Sequence, residues 1–141
     1  MTRAMSLRAP LLAALALASA ALLAACGGED DPVRIETREL RVELDEFRIV
    51  PEDVSVASGR LRIVATNVGR LTHNLKIVKE DEEDREAPPT EIGGTGTAQP
   101  GETATFTFDD LRPGEYRIVC TITNHDDLGQ YGELIVREEG E

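Results

Sequence analysis

The chain has 141 residues, no tryptophan, five other aromatic residues, two cysteines, two histidines and a formal charge of −12. That length holds one domain beside a processing segment, and that charge argues against nucleic acid and against adsorption to anionic lipid. The first candidate element is an export leader over residues 1–25. Arg3 and Arg8 make its positive start, and Leu11 to Ala25 is an apolar run broken only by Ser19. The run is too short and too poorly flanked for a good membrane span. It carries no Arg-Arg pair, so the chain is expected to cross unfolded, with any metal loaded outside.

The leader ends Leu23-Ala24-Ala25-Cys26-Gly27, which resembles a bacterial lipobox. On that reading Cys26 becomes the lipidated first residue, and its acyl chains hold the protein at the cell membrane, on the extracytoplasmic face, without spanning it. The alternative is an ordinary secretory signal with an incidental cysteine. Residues 26–38 then form the lipidated Cys and a polar tether, and residues 39–141 the folded domain. Loss of residues 1–25 removes two basic and no acidic side chains, so 13 Lys and Arg face 27 Asp and Glu for a charge of −14. Such a surface favours solubility and suits a basic partner; a generally acidic surface with no specific partner is the alternative.

Beyond the tether, short alternating runs separated by turn residues predict an all-β fold. Val33 to Ile35 and Leu40 to Leu44 alternate, and Phe47 and Ile49 continue towards Pro51. Val54 and Val56 precede the turn Ser58-Gly59; Leu61, Ile63 and Ala65 lead into the turn Asn67-Val68-Gly69; Leu75 and Ile77 follow. Lys79 to Thr90 is a charge run with two prolines, read as a solvated loop, and Gly93, Gly94 and Gly96 extend it as a flexible region. Thr103 to Phe108, Tyr116 to Cys120 and Glu133 to Arg137 are the last strands. Seven or eight strands at this spacing predict a Greek-key β-sandwich.

The last two strands are joined by CTITNHDDLGQ, which places Cys120, His125 and Gln130 five residues apart. The other histidine, His73, precedes Asn74 just after a strand boundary, so both segments fall at one end of the sandwich, where sites are usually built. Two imidazoles, one thiolate and a weak axial oxygen are what a mononuclear blue copper site needs. Without Cys26, Cys120 has no partner for a disulfide, and a free thiol in an oxidising compartment is a liability that a bound metal removes.

The segments TNVGRLTHNLKIV (66–78) and PGEYRIVCTITNHDDLGQYGELIV (113–136) resemble the cupredoxins, the plastocyanin, azurin and pseudoazurin group. The shared pattern is Asn-x-Gly, His-Asn, Pro-Gly-x-Tyr, Cys-x4-His-x4-axial residue, then a closing strand. The resemblance implies one type 1 copper, with His73, Cys120 and His125 in the equatorial plane. Gln130 stands where most members have Met; as a harder donor it would lower the reduction potential, although a plain loop residue is the alternative. The resemblance also implies that Asn74 ties the two segments together, its N–H meeting the Cys120 sulfur and its side chain the segment at Thr121. His125 would be the more exposed imidazole and the electron port, with Leu71, Leu128 and Tyr131 as apolar surface around it.

The function expected from this pattern is single-electron transfer between redox partner proteins by a monomeric, membrane-tethered carrier. A copper-delivery lipoprotein using the same ligands is the alternative, but the Met-rich signature of exchange sites is missing, since Met1 and Met5 are the chain's only methionines. A metal-free sandwich leaves the Cys-x4-His-x4-Gln spacing unexplained. An enzyme is not expected: copper reductases and oxidases need further histidines, and both here are already assigned.

Overall fold

A computed structural model describes residues 31–84 and 86–140. The export leader and Cys26, with the roles expected of them, lie outside the described residues. No helix among the described residues is long and apolar enough to cross a membrane.

Ten strands form: β1 (Val33–Arg34), β2 (Glu39–Asp45), β3 (Arg48–Val50), β4 (Val54–Ala57), β5 (Gly59–Asn67), β6 (Lys76–Lys79), β7 (Thr90–Gly94), β8 (Thr103–Leu111), β9 (Gly114–Val119) and β10 (Tyr131–Arg137). They make a six-stranded sheet in the order β1-β4-β10-β9-β6-β7 and a four-stranded sheet in the order β3-β2-β5-β8. Both sheets are mixed: β1 and β10 pair parallel with β4, and β2 pairs parallel with β5. The all-β sandwich expected from the alternation is the fold observed.

The alternation works through the period of two along a strand. In β2, Leu40, Val42 and Leu44 are buried while Arg41 and Glu43 face water. Leu61, Ile63 and Ala65 of β5 join them, with Val54 and Val56 of β4 and Ile77, Ile118, Leu134 and Val136 also from the other sheet. This single cluster lies between the sheets and gives both rims of the sandwich a rigid base. The Tyr116 hydroxyl donates to the Arg112 carbonyl at 3.0 Å, closing the turn before β9.

Three details differ from the reading of the sequence. First, the described residues form ten strands rather than seven or eight. Second, the fold begins before residue 39. Val33 N–H donates to Asp53 O at 2.9 Å and Ile35 N–H to Ser55 O at 2.8 Å, and Ile35 packs on the core, so residues 33–38 belong to the domain rather than to a tether. Third, Thr90–Gly94 is not a flexible extension of the charge run but an edge strand paired with β6. Its glycines give it closeness, not looseness. A Cβ on Gly94 would stand 2.3 Å from Leu75 O, and one on Gly93 would stand 2.9 Å from the Phe108 ring.

The start of the charge run is tied to β9. Arg117 Nη1 reaches Glu80 Oε1 at 3.0 Å, and the Arg117 guanidinium lies 4.5 Å from the centre of the Tyr131 ring. Asp81 Oδ1 accepts the N–H groups of Glu83 and Asp84, and these bonds hold its carboxyl below the usual carboxylate range.

Candidate metal centre

The site is built by two segments. The first runs from the end of β5 to the start of β6. Asn67, completely buried, organises it: its Nδ2 donates to Leu71 O at 2.7 Å and Ala98 O at 2.8 Å, and its Oδ1 accepts from Gly69 N–H at 2.9 Å. His73 and Ala98 then exchange backbone hydrogen bonds of 3.1 and 2.8 Å, which fixes the His73 main chain.

The second segment is the connection between β9 and β10. Its turns are closed locally, by His125 N–H on Ile122 O at 3.1 Å and Gly129 N–H on Asp126 O at 3.0 Å. Cys120 N–H donates to Gln130 O and Gln130 N–H to His125 O, both at 3.0 Å, so the three residues spaced five apart are locked to one another. The two segments meet at Asn74. Its Oδ1 accepts from Thr121 N–H at 2.8 Å and its Nδ2 donates to Thr121 Oγ1 at 3.0 Å. These two bonds join the two segments.

His73, Cys120 and His125 converge here, all three buried, with one candidate donor atom from each lying within 4.8 Å of the others. Cys120 Sγ is 3.9 Å from His73 Nδ1 and 3.6 Å from His125 Nδ1. Metal bonds of about 2.0 Å to nitrogen and about 2.3 Å to sulfur, opened by about 120°, separate the donors by about 3.7 Å. The two sulfur–nitrogen separations bracket that value, so the three side chains are close enough to share one ion.

Gln130 is also fully buried. Its Nε2 donates to Asp45 O at 2.7 Å and to Arg48 O at 3.3 Å, while its Oε1 is buried with no hydrogen-bond partner. Because the two carbonyls must face the amide nitrogen, the oxygen is the atom left over. An unsatisfied buried acceptor costs about 1–3 kcal/mol and calls for an explanation. A metal that takes this oxygen as a weak ligand is one.

Burial pushes the Cys120 thiol up from its ordinary value, against the opposing pull of the Asn74 and Ile122 N–H groups that donate to its sulfur. A free thiolate is therefore disfavoured at this position, and a cation is what would restore it. His73 is 0 % exposed and His125 is 7 % exposed, which makes His125 the imidazole nearer to solvent. Leu71, Leu128 and Tyr131 are exposed, as is Val68, which the sequence reading passed over.

Two further residues were also missed. Glu46 and Phe47 form the tight turn between β2 and β3, across from both histidines. Glu46 Oε1 lies 3.4 Å from His73 Nε2 and accepts the N–H groups of Arg70 and Leu71 at 2.6 and 2.9 Å. The bonds from Leu71 and Arg70 hold the Glu46 carboxyl down at about 2. Phe47 has a φ of 60° and sets its ring edge-on to His125, with 5.3 Å between centroids. A left-handed conformation in a bulky residue is strained and tends to occur at functional sites. No spacing rule links residue 46 to residue 73, so these contacts had no signal in the sequence beyond a short turn.

No protein-family profile matches the sequence, and no curated protein matches it. Solved structures do. An auracyanin from the photosynthetic bacterium Roseiflexus castenholzii, reduced with dithionite, superposes with a TM-score of 0.62 at 22 % identity, covering 73 % of this chain and 99 % of that one. Auracyanin A, a "blue" copper protein from the green thermophilic photosynthetic bacterium Chloroflexus aurantiacus, gives 0.57 at 21 % identity over 70 % of this chain and 99 % of that one. A multicopper oxidase gives 0.52 at 20 % identity, this chain matching 42 % of its length. The chain therefore has the cupredoxin-like β-sandwich, and its buried His-Cys-His group fits a copper site.

Proposed function

We propose that this chain is an exported single-electron carrier that holds one copper ion through His73, Cys120 and His125, with Gln130 Oε1 as the axial donor. The observation that carries the reading is the convergence of three buried donor atoms within 4.8 Å at one rim of the sandwich. The copper would supply a one-electron couple between Cu(II) and Cu(I). The protein's part is to keep the donors in one arrangement for both states. Asn74 and Thr121 clamp the two ligand segments, and the Asn67 hydrogen bonds hold the loop before His73. A preset arrangement lowers the rearrangement needed at each transfer.

Burial of all three donors favours a resident ion over one handed on, since delivery sites are open. Both histidines of the chain lie in this one group, which leaves none for a second, catalytic copper and supports a carrier rather than an enzyme. His125, the less covered imidazole, is the exit for the electron, with Leu71 and Leu128 as apolar ground for a redox partner. The acidic surface, Glu80 and its neighbours included, suits a basic partner. Lipidation at Cys26 would keep the carrier on the extracytoplasmic face of the cell membrane.

The test is a reductive titration of the copper-loaded protein. The expected result is uptake of one electron per chain, reversible over repeated cycles, and abolished in Cys120→Ala. Copper that is lost on the first reduction would instead indicate delivery.

A further inference from the structure

The turn between β2 and β3 touches three of the four residues assigned to the metal. The carbonyls of Asp45 and Arg48 accept from Gln130 Nε2, Phe47 sets its ring edge on His125, and Glu46 faces His73 Nε2. Glu46 is not a loose surface carboxylate. Its Oε1 is held by two backbone N–H groups from the loop leading into His73, and the loop is shaped to admit it. A Cβ on Gly69 would stand 2.4 Å from Glu46 Oε1 and 3.2 Å from His73 Nε2, so the absence of a side chain at Gly69 leaves room for the pair.

A histidine that binds metal through one ring nitrogen usually donates its other N–H to a carboxylate or carbonyl. Here the nitrogen facing Cys120 Sγ is Nδ1, at 3.9 Å, and the nitrogen facing Glu46 is Nε2, at 3.4 Å. The His73 side chain is fully buried.

We propose that Glu46 is the positioning residue for His73. Its carboxylate holds the ring as the Nε2–H tautomer, leaves Nδ1 unprotonated towards Cys120, and biases a bound copper towards Cu(II). The last part rests on the copper reading above; the tautomer does not.

The test has two arms. The chain has two histidines, so selective 15N-histidine labelling of the full-length, metal-free protein gives only two rings to assign. The expected result for His73 is the Nε2–H tautomer, its proton shifted downfield and protected from exchange. A ring protonated at Nδ1, or an unprotected Nε2 proton, would overturn the proposal whether or not the protein binds copper.

In the second arm, Glu46→Gln keeps an acceptor but removes the charge, while Glu43→Gln removes the same charge from an exposed position on β2. The expected effect of Glu46→Gln is about a tenfold fall in Cu(II) affinity relative to Cu(I), read as a rise of about 59 mV in potential for one electron. Equal shifts in the two variants would show that Glu46 acts only through its distant field and would overturn the second half. Should Glu46→Gln fail to fold, the ring assignment in the unaltered protein decides. Failure of the unaltered protein to bind copper would count against the proposed function and leave the tautomer result standing.

Discussion

Replacing Asn67 by Ala removes the side chain that shapes the loop before His73. Three hydrogen bonds go at once: to Leu71 O, to Ala98 O and from Gly69 N–H. Ala98 O keeps the His73 N–H, but Leu71 O and Gly69 N–H lose a partner. At about 1 kcal/mol for each net bond, the loss is about 3 kcal/mol. For a domain of about a hundred residues that is a fall of about 12 °C in the unfolding midpoint. The assay is urea unfolding of the metal-free protein, in which the midpoint should drop while the slope stays the same. Asn67→Asp should be worse at neutral pH, because it sets a second oxygen against two carbonyls. A loss below about 1 kcal/mol in Asn67→Ala would refute the account of how His73 is placed.

The other predictions concern the donors. Gln130→Met should raise the reduction potential, because a thioether favours Cu(I) where an amide oxygen favours Cu(II); an unchanged potential would show that Gln130 is not a ligand. Metal-free stability should change little in that variant, since the orphaned Oε1 and the two bonds made by Nε2 are lost together. Because burial raises the Cys120 thiol, metal binding must expel its proton, so affinity for Cu(II) should climb with pH. Release of the thiol proton alone gives a slope of about tenfold per pH unit, and a flat competition titration would contradict it. Glu46 has a folded value of about 2 against an ordinary 4.5, so its contribution to stability is complete above 4.5 and fades as pH falls towards 2. Glu46→Gln should therefore flatten the acid limb of the stability curve in that window, and an unaltered limb would remove Glu46 from the account.

What the sequence disclosed depended on periodicity and spacing. The runs Leu40 to Leu44 and Leu61 to Ala65 alternate because each strand shows one face to the core, so their assignment needed no partner strand. The candidate donors were legible because Cys120, His125 and Gln130 share one loop, and His73 carries an adjacent Asn74 whose bonds to Thr121 join the two segments. Strand β7 was hidden because its glycines look like loop residues until the backbone of Leu75 and the rings of Phe106 and Phe108 are seen to press against them. Strand β1 is only two residues long, too short to show a period, and its pairing with β4 lies across 20 residues of chain. Glu46 and Phe47 were hidden for a related reason. A turn of any composition could have closed β2 onto β3, and only the packing of the two sheets brings that turn over the histidines.

Whether the buried His-Cys-His group is a single blue copper centre is decided by titrating the purified protein with copper(II) and following visible absorption and electron spin resonance. The expected result is saturation at one copper per chain, an intense thiolate-to-copper band that bleaches on reduction, and a narrow copper hyperfine splitting. A colourless protein, or one showing only an ordinary tetragonal copper signal, would contradict it.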